Sequence, residues 1–171
     1  VFAFPFALMG VVLASLASGQ VPGFGQIFWI CVAMVGARSA AMGLNRLIDA
    51  RIDAENPRTA ERHIPSGQVS VVEASLFILA STAIFLFAAW MLNPLCLVLV
   101  PAAGAMIMVY SYTKRFTWLC HYWLGMTCSA AVMGSFLALT GSFELRFFPL
   151  TGAVMFWVAG FDIIYALPAV L

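Results

Sequence analysis

The stretch Asn45-Arg46-Leu47-Ile48-Asp49-Ala50-Arg51-Ile52-Asp53 closes a long apolar segment in a chain of 171 residues that is 64% hydrophobic. Asn45, Asp49 and Asp53 stand four residues apart, so a helix stacks them along one face. A carboxylate near the end of a membrane helix is costly, and such groups face a wet cavity and act there. Oxygen-only donors suit Mg²⁺, and Mg²⁺ points to a substrate that carries phosphate. The competing reading is that the two carboxylates are plain helix-end charges.

Composition narrows the class. Mean hydropathy is +1.03 and only 9% of residues are charged, which excludes a soluble globular domain and specifies a polytopic membrane protein. A spanning helix needs about 20 mostly apolar residues. Such segments read at 2–18, 27–54, 74–92, 95–112, 118–140 and from 147 to the chain end. Their recurrence rules out a lone signal peptide. Spanning backbone must satisfy its own hydrogen bonds, so the fold is all-α, with six transmembrane helices in a single membrane domain over 1–171. Val1 is not an initiating methionine and the chain stops inside an apolar run at Leu171. We therefore expect a start before Val1 and further helices after Leu171. Cys31, Cys96, Cys120 and Cys128 form no paired spacing and read as small apolar residues.

Local signals place the turns. Ser70 and Glu73 form an S-x-x-E capping box ahead of the third segment. Asn93-Pro94 reads as a sharp turn, with Asn93 capping and Pro94 at the first helical position. Pro101 predicts a kink in the fourth segment. The connections alternate in charge. Arg46, Arg51, Arg58, Arg62, Lys114 and Arg115, six of eight basic residues, lie in or beside 55–70 and 111–117. The positive-inside rule makes that side cytoplasmic, and the Asp stripe and the end of the sixth segment beyond Asp162 fall on it too.

Further candidates follow from that topology. Arg38 precedes Asn45 by seven residues, two turns deeper on the same face. It either binds an anionic group such as a carboxylate or is a structural Arg paired within the membrane. In the loop Glu55-Asn56-Pro57-Arg58-Thr59-Ala60-Glu61-Arg62-His63-Ile64-Pro65-Ser66-Gly67, Arg58 and Arg62 either clamp phosphate oxygens or only set topology. Following an Asp stripe directly, they favour phosphate. His63 reads as a loop residue. Tyr110 and Lys114 share a helix face four residues apart. Asp162 is a second embedded carboxylate, and two acidic clusters on one membrane face would suit two metal ions on one diphosphate.

Taken together, the run Arg38 to Asp53, with Asn56-Pro57-Arg58-Thr59, Arg62 and Pro65-Ser66-Gly67, resembles the first Asp-rich motif and loop of the UbiA superfamily of intramembrane prenyltransferases. Tyr110 with Lys114 is similar to its YxxxK element, and Asp162-Ile163-Ile164-Tyr165-Ala166 to the opening of its DxxYAxxD motif. Ala169 stands where that motif's last Asp would fall. The motifs most resemble the 4-hydroxybenzoate polyprenyltransferases and their relatives in the futalosine route to menaquinone. The resemblance implies a nine-helix fold, of which six helices are present, so the chain looks like a fragment. It also implies Mg²⁺-dependent transfer of a polyprenyl group from its diphosphate to an aromatic acid in quinone biosynthesis, at a cytoplasm-facing site in the cell inner membrane. In that scheme Asp49, Asp53 and Asp162 hold metal with Asn45 assisting, Arg58, Arg62 and Lys114 hold diphosphate beside Tyr110, and Arg38 takes the acceptor's carboxylate. Lipid is the only macroscopic partner expected, with neither nucleic acid nor an obligate protein. A non-catalytic remnant of such an enzyme and an ion-coupled transporter are the alternatives. A soluble Asp-rich terpene synthase would need amphipathic helices.

Overall fold

The computed structural model describes residues 4–114 and 116–166, and within them every regular element is helical. The order is α1 (Phe4–Ser18), α2 (Phe24–Glu55), α3 (Val71–Leu92), α4 (Pro94–Thr113), α5 (Cys120–Thr140), a 3-10 turn (Leu145–Phe147) and α6 (Phe148–Ala166). Five helices, α2 to α6, are long and apolar enough to cross a membrane, and α1 is a shorter apolar helix. The all-α polytopic class and the count of six helices are as the sequence predicts. Arg115 and the Pro168-Ala169 departure lie outside the described residues.

The boundaries show which local signals act. The Asn93 side chain accepts from Cys96 N at 2.8 Å with Pro94 in the first turn, as expected. The capping box forms too: the Glu73 carboxylate accepts from Ser70 N at 2.8 Å and Ser70 Oγ from Glu73 N at 3.2 Å. α2 starts three residues before the predicted 27, because Gln26 Oε1 accepts from Gly23 N at 3.0 Å and closes a cap there. α5 starts at Cys120 rather than 118, because Thr117 Oγ1 accepts from Leu119 N at 3.2 Å and holds a turn. Pro101 lies within α4, which runs on through it. All four cysteines are free thiols.

The chain forms two compact units, Val1–Ile30 with Ala89–Leu171, and Cys31–Ala88. In the first, α1, α4 and α6 each pack on α5. Lipid is as apolar as a side chain, so helices in a membrane associate through close packing and hydrogen bonds more than through burial. Small residues provide the closeness. A Cβ on Gly10 of α1 would run into the Val132 carbonyl and Ser135 hydroxyl of α5, and one on Gly125 of α5 into the Met155 carbonyl of α6. Phe6, Val132, Val154 and Val158 fill the core between them. Polar ties fix the register. Ser135 Oγ donates to Ala7 O at 2.8 Å, and Trp123 Nε1 to Met106 O at 2.8 Å. Asn93 Nδ2 donates to Leu137 O at 2.8 Å and Ala138 O at 3.1 Å, two carbonyls in the last turn of α5, the first of which also accepts from Gly141 N at 2.8 Å.

In the second unit α2 and α3 run antiparallel. Gly36 abuts Phe85, where an added Cβ would lie 2.9 Å from the backbone nitrogen, and Gly43 abuts the Ile78 side chain. The connection is tied by turn hydrogen bonds, and Gly67 has φ 76°, which a residue with a Cβ adopts only with strain.

Close packing at Gly125 has a measurable consequence. Gly125→Ala should lower the unfolding free energy in detergent by about 1–3 kcal/mol through overpacking. Gly134→Ala, whose added carbon meets no other atom, should not. An SDS titration that found the two variants equally stable would contradict the packing of α5 on α6.

Candidate active site

The first cluster stands at the end of α2. Asp49 and Asp53 are buried, at 8% and 7% exposure, in a helix whose other surfaces are largely apolar. Asn45 is half-buried one turn before them. A charge removed from water needs a partner, and Asp53 has one: Arg62 NH1 lies 2.7 Å from both carboxylate oxygens. The loop is shaped to deliver that guanidinium. Asn56 Oδ1 accepts from Arg58 N at 3.0 Å, and Asn56 O from the nitrogens of Thr59 and Ala60, so the chain turns back sharply after the helix. Thr59 Oγ1 then donates to Asp53 O at 3.0 Å and holds the turn against the last turn of α2. Arg58 is exposed.

Arg38 shares the helix face by spacing, about 16 Å from Asp49 at ~1.5 Å per residue, and it is exposed. The loop after α2 covers the final turns of the helix, where Asp53 sits, and residue 38 lies near its middle. His63 is an exposed loop residue, as expected, and lines a groove of 480 Å³ with Arg46, Glu73 and Phe77. Asp49 and Asp53 do not line that groove.

The second cluster belongs to the other unit. Lys114 Nζ sits 5.9 Å from the centre of the Tyr110 ring, so the two do share a face at the end of α4. Asp162, near the end of α6, meets a partner that sequence reading passed over: His121 Nδ1 is 2.6 Å from its Oδ2. The signal was a histidine at the start of an apolar helix that runs antiparallel to the one ending with Asp162. The Trp123 bond to Met106 joins α5 to α4 one turn before Tyr110, so the end of α4, the start of α5 and the end of α6 meet at one end of this unit. Tyr165 is exposed.

Among the described residues no three His, Cys, Asp or Glu side chains gather around one point. Mg²⁺ does not need such a cage. It keeps several waters and takes one or two carboxylates, with substrate phosphates completing the shell. The pair Asp49 and Asp53, with the Asn45 amide oxygen above them, fits that chemistry, and Arg62 must leave Asp53 for a cation to use both of its oxygens.

The chain matches the UbiA prenyltransferase family over residues 3–170. It belongs to that family. Among curated relatives it is 30% identical over 152 residues to a 4-hydroxybenzoate octaprenyltransferase of Tolumonas auensis, covering 89% of this chain and 53% of that one. It is 32% identical over 163 residues to the protein of the same description from Methylobacillus flagellatus, with 94% and 53% covered. A solved apo structure of a UbiA homolog from Aeropyrum pernix K1 superposes with TM-score 0.82 at 35% identity, covering 94% of this chain and 62% of that one. The chain therefore spans about half the length of the curated relatives it matches. Membership of that family implies a typical dependence on Mg²⁺.

In this UbiA protein the Arg62 contact, with the Thr59 hydroxyl, ties the loop to the end of α2. Arg62→Ala should speed backbone hydrogen exchange across 58–66 while leaving the α3 amides after residue 75 unchanged. Equal protection of the loop in both proteins would show that Asp53 and Arg62 do not hold it.

Proposed function

We propose that the protein transfers a polyprenyl group from its diphosphate to an aromatic acid such as 4-hydroxybenzoate in quinone biosynthesis, from the cytoplasmic side of the inner membrane. The observation that carries this reading is the pair of buried carboxylates on α2 with the Arg62 loop folded onto it, in a chain that matches the UbiA family over nearly its whole length. The names of the relatives support the acceptor.

In this reading Asp49, Asp53 and Asp162 are the metal-holding carboxylates and Asn45 a neutral oxygen donor beside the first two. Mg²⁺, when bound, supplies positive charge against the departing diphosphate. Arg58, Arg62 and Lys114 donate N–H bonds to the diphosphate oxygens, which gain charge as the bond from the prenyl C1 to oxygen breaks. Tyr110 packs its ring against Lys114 and steadies the ammonium. The ring carbon of the acceptor then bonds to C1, and the proton on that carbon departs as aromaticity returns. Arg38 holds the acceptor's carboxylate. Its place on the Asp49 face, about 16 Å along the axis, suits a ring bound beyond C1 better than a diphosphate. Apolar helix surfaces accommodate the prenyl tail.

A second reading has a specific observation behind it. Ala169 replaces a carboxylate of the family's second motif, so the chain would bind donor without turning it over.

The two are separated by activity in membranes that contain the protein, supplied with polyprenyl diphosphate, 4-hydroxybenzoate and Mg²⁺. The catalytic reading expects prenylated product, lost on chelation and in Asp49→Ala and Asp53→Ala with the protein still inserted. Arg58→Ala should chiefly raise the donor KM. Arg38→Lys, which keeps the charge but loses the planar fork, should raise the acceptor KM and leave donor affinity alone. Near-normal turnover in Asp49→Ala would remove the metal assignment. Absence of product from the inserted protein would favour the binding-only reading. Reporter fusions after Gln68 should report the cytoplasm, and one after Asn93 the opposite side.

A further inference from the structure

The contact between His121 and Asp162 has no part in the scheme above, although Asp162 does. It joins the first turn of α5 to the last turns of α6 at 2.6 Å, short for a nitrogen–oxygen contact and in the range of charge-assisted bonds. The two side chains keep 21% and 29% of their surface exposed, so the pair opens outward rather than lying in the core. The packing behind it is stiff. The Gly125 contact with Met155, one turn inward on α5, fixes the distance between the helices, and Trp123 is tied to Met106 two residues along. The helices that carry the two residues are therefore held close together by backbone packing.

Two roles are open to a histidine in this position. One is direct ligation of a cation through the other ring nitrogen. Imidazole is a poor donor for Mg²⁺, a hard ion that selects oxygen, so this role does not suit the family's metal. The other is orientation. A proton on Nδ1 is donated to Asp162 Oδ2 in the neutral Nδ1–H tautomer and in the imidazolium alike. That bond fixes the rotamer of the carboxylate and occupies one oxygen, leaving Oδ1 presented. Partners of this kind tune metal-ligating groups and change metal affinity by about 10–100-fold when removed.

We propose that His121 is the positioning residue for Asp162: it holds the carboxylate in one orientation by the Nδ1 to Oδ2 bond, so that Oδ1 meets a divalent cation. This rests on the proposed assignment of Asp162 to metal. It adds a residue to that assignment, drawn from a different helix and from the observed contact.

Binding of Mn²⁺ alone, a hard divalent ion visible by electron paramagnetic resonance, tests it on the purified protein in detergent. Wild type, Asp49→Ala, Asp162→Ala, His121→Leu and His121→Asn are compared, with thermal unfolding recorded for each. Leucine fills the space without a donor, and the asparagine amide returns a donor close to the position of Nδ1. His121→Leu should weaken Mn²⁺ binding by about tenfold or more, and His121→Asn should recover most of the loss. Asp162→Ala should be weaker still. Should the leucine variant not fold, His121→Ala, which removes the donor without adding apolar bulk, takes its place, with affinity again expected about tenfold or more below wild type and wild-type affinity overturning the positioning role. If Asp49→Ala and Asp162→Ala lose affinity while His121→Leu folds and binds as wild type, the positioning role is wrong and the metal assignment survives. Asparagine as damaging as leucine, at equal thermal stability, also overturns it. If wild type binds no Mn²⁺, or Asp162→Ala binds as well as wild type, the assignment of Asp162 to metal fails and takes this inference with it.

Discussion

Charge inside a membrane protein must be compensated where it lies, and the ion pair between Asp53 and Arg62 is where this chain meets that demand. Asp53 is almost wholly withdrawn from water, and an ion so placed costs several kcal/mol unless a partner answers it. The answer comes from the following loop, whose Asn56 turn and Thr59 hydroxyl bring Arg62 within 2.7 Å. The same arrangement sets the chemistry. In the proposed metal assignment, a cation at Asp53 competes with the guanidinium, which is then free to meet an anion. One contact therefore connects the fold of the loop to the proposed binding of metal and diphosphate.

The second cluster rests on helix packing instead. α5 carries glycine or serine at its contacts with α1 and α6, and backbone comes close enough there for side-chain bonds at the ends to have fixed lengths. Asn93 serves two helices at once, capping α4 and satisfying carbonyls of α5. Such bonds at the ends of apolar helices hold Tyr110 with Lys114 and His121 with Asp162 in defined places. Neither pair needs a polar helix face, which agrees with helices that are apolar nearly all round.

Much of this was legible in the chain before the fold was known. Hydropathy and the requirement for internal hydrogen bonding force helices, and the spacing of Asn45, Asp49 and Asp53 forces them onto one face. The capping signals at Ser70 and Asn93 mark the starts of α3 and α4, although the apolar segments read from 74 and 95 open three residues and one residue after them. The Gly23 and Gln26 cap was passed over because neither residue type is a leading cap signal. The partner of Asp53 was hidden for another reason. Arg58 and Arg62 are equally basic, and only the path of the loop decides which one turns back. Arg38 shares that face yet is exposed, because periodicity gives the face of a helix and says nothing about which stretch of that face a loop covers. His121 lies 41 residues from Asp162, a separation at which no local pattern operates.

The claim on which the account turns is that the α2 carboxylates recruit a diphosphate through a divalent cation. Equilibrium binding of an unreactive polyprenyl thiolodiphosphate to the purified protein, measured with Mg²⁺ and with chelator, tests it without requiring turnover. The account predicts binding that depends on Mg²⁺ and is lost in Asp49→Asn, which keeps the shape and removes the charge. Equal affinity in chelator, or undiminished affinity in Asp49→Asn, would contradict it.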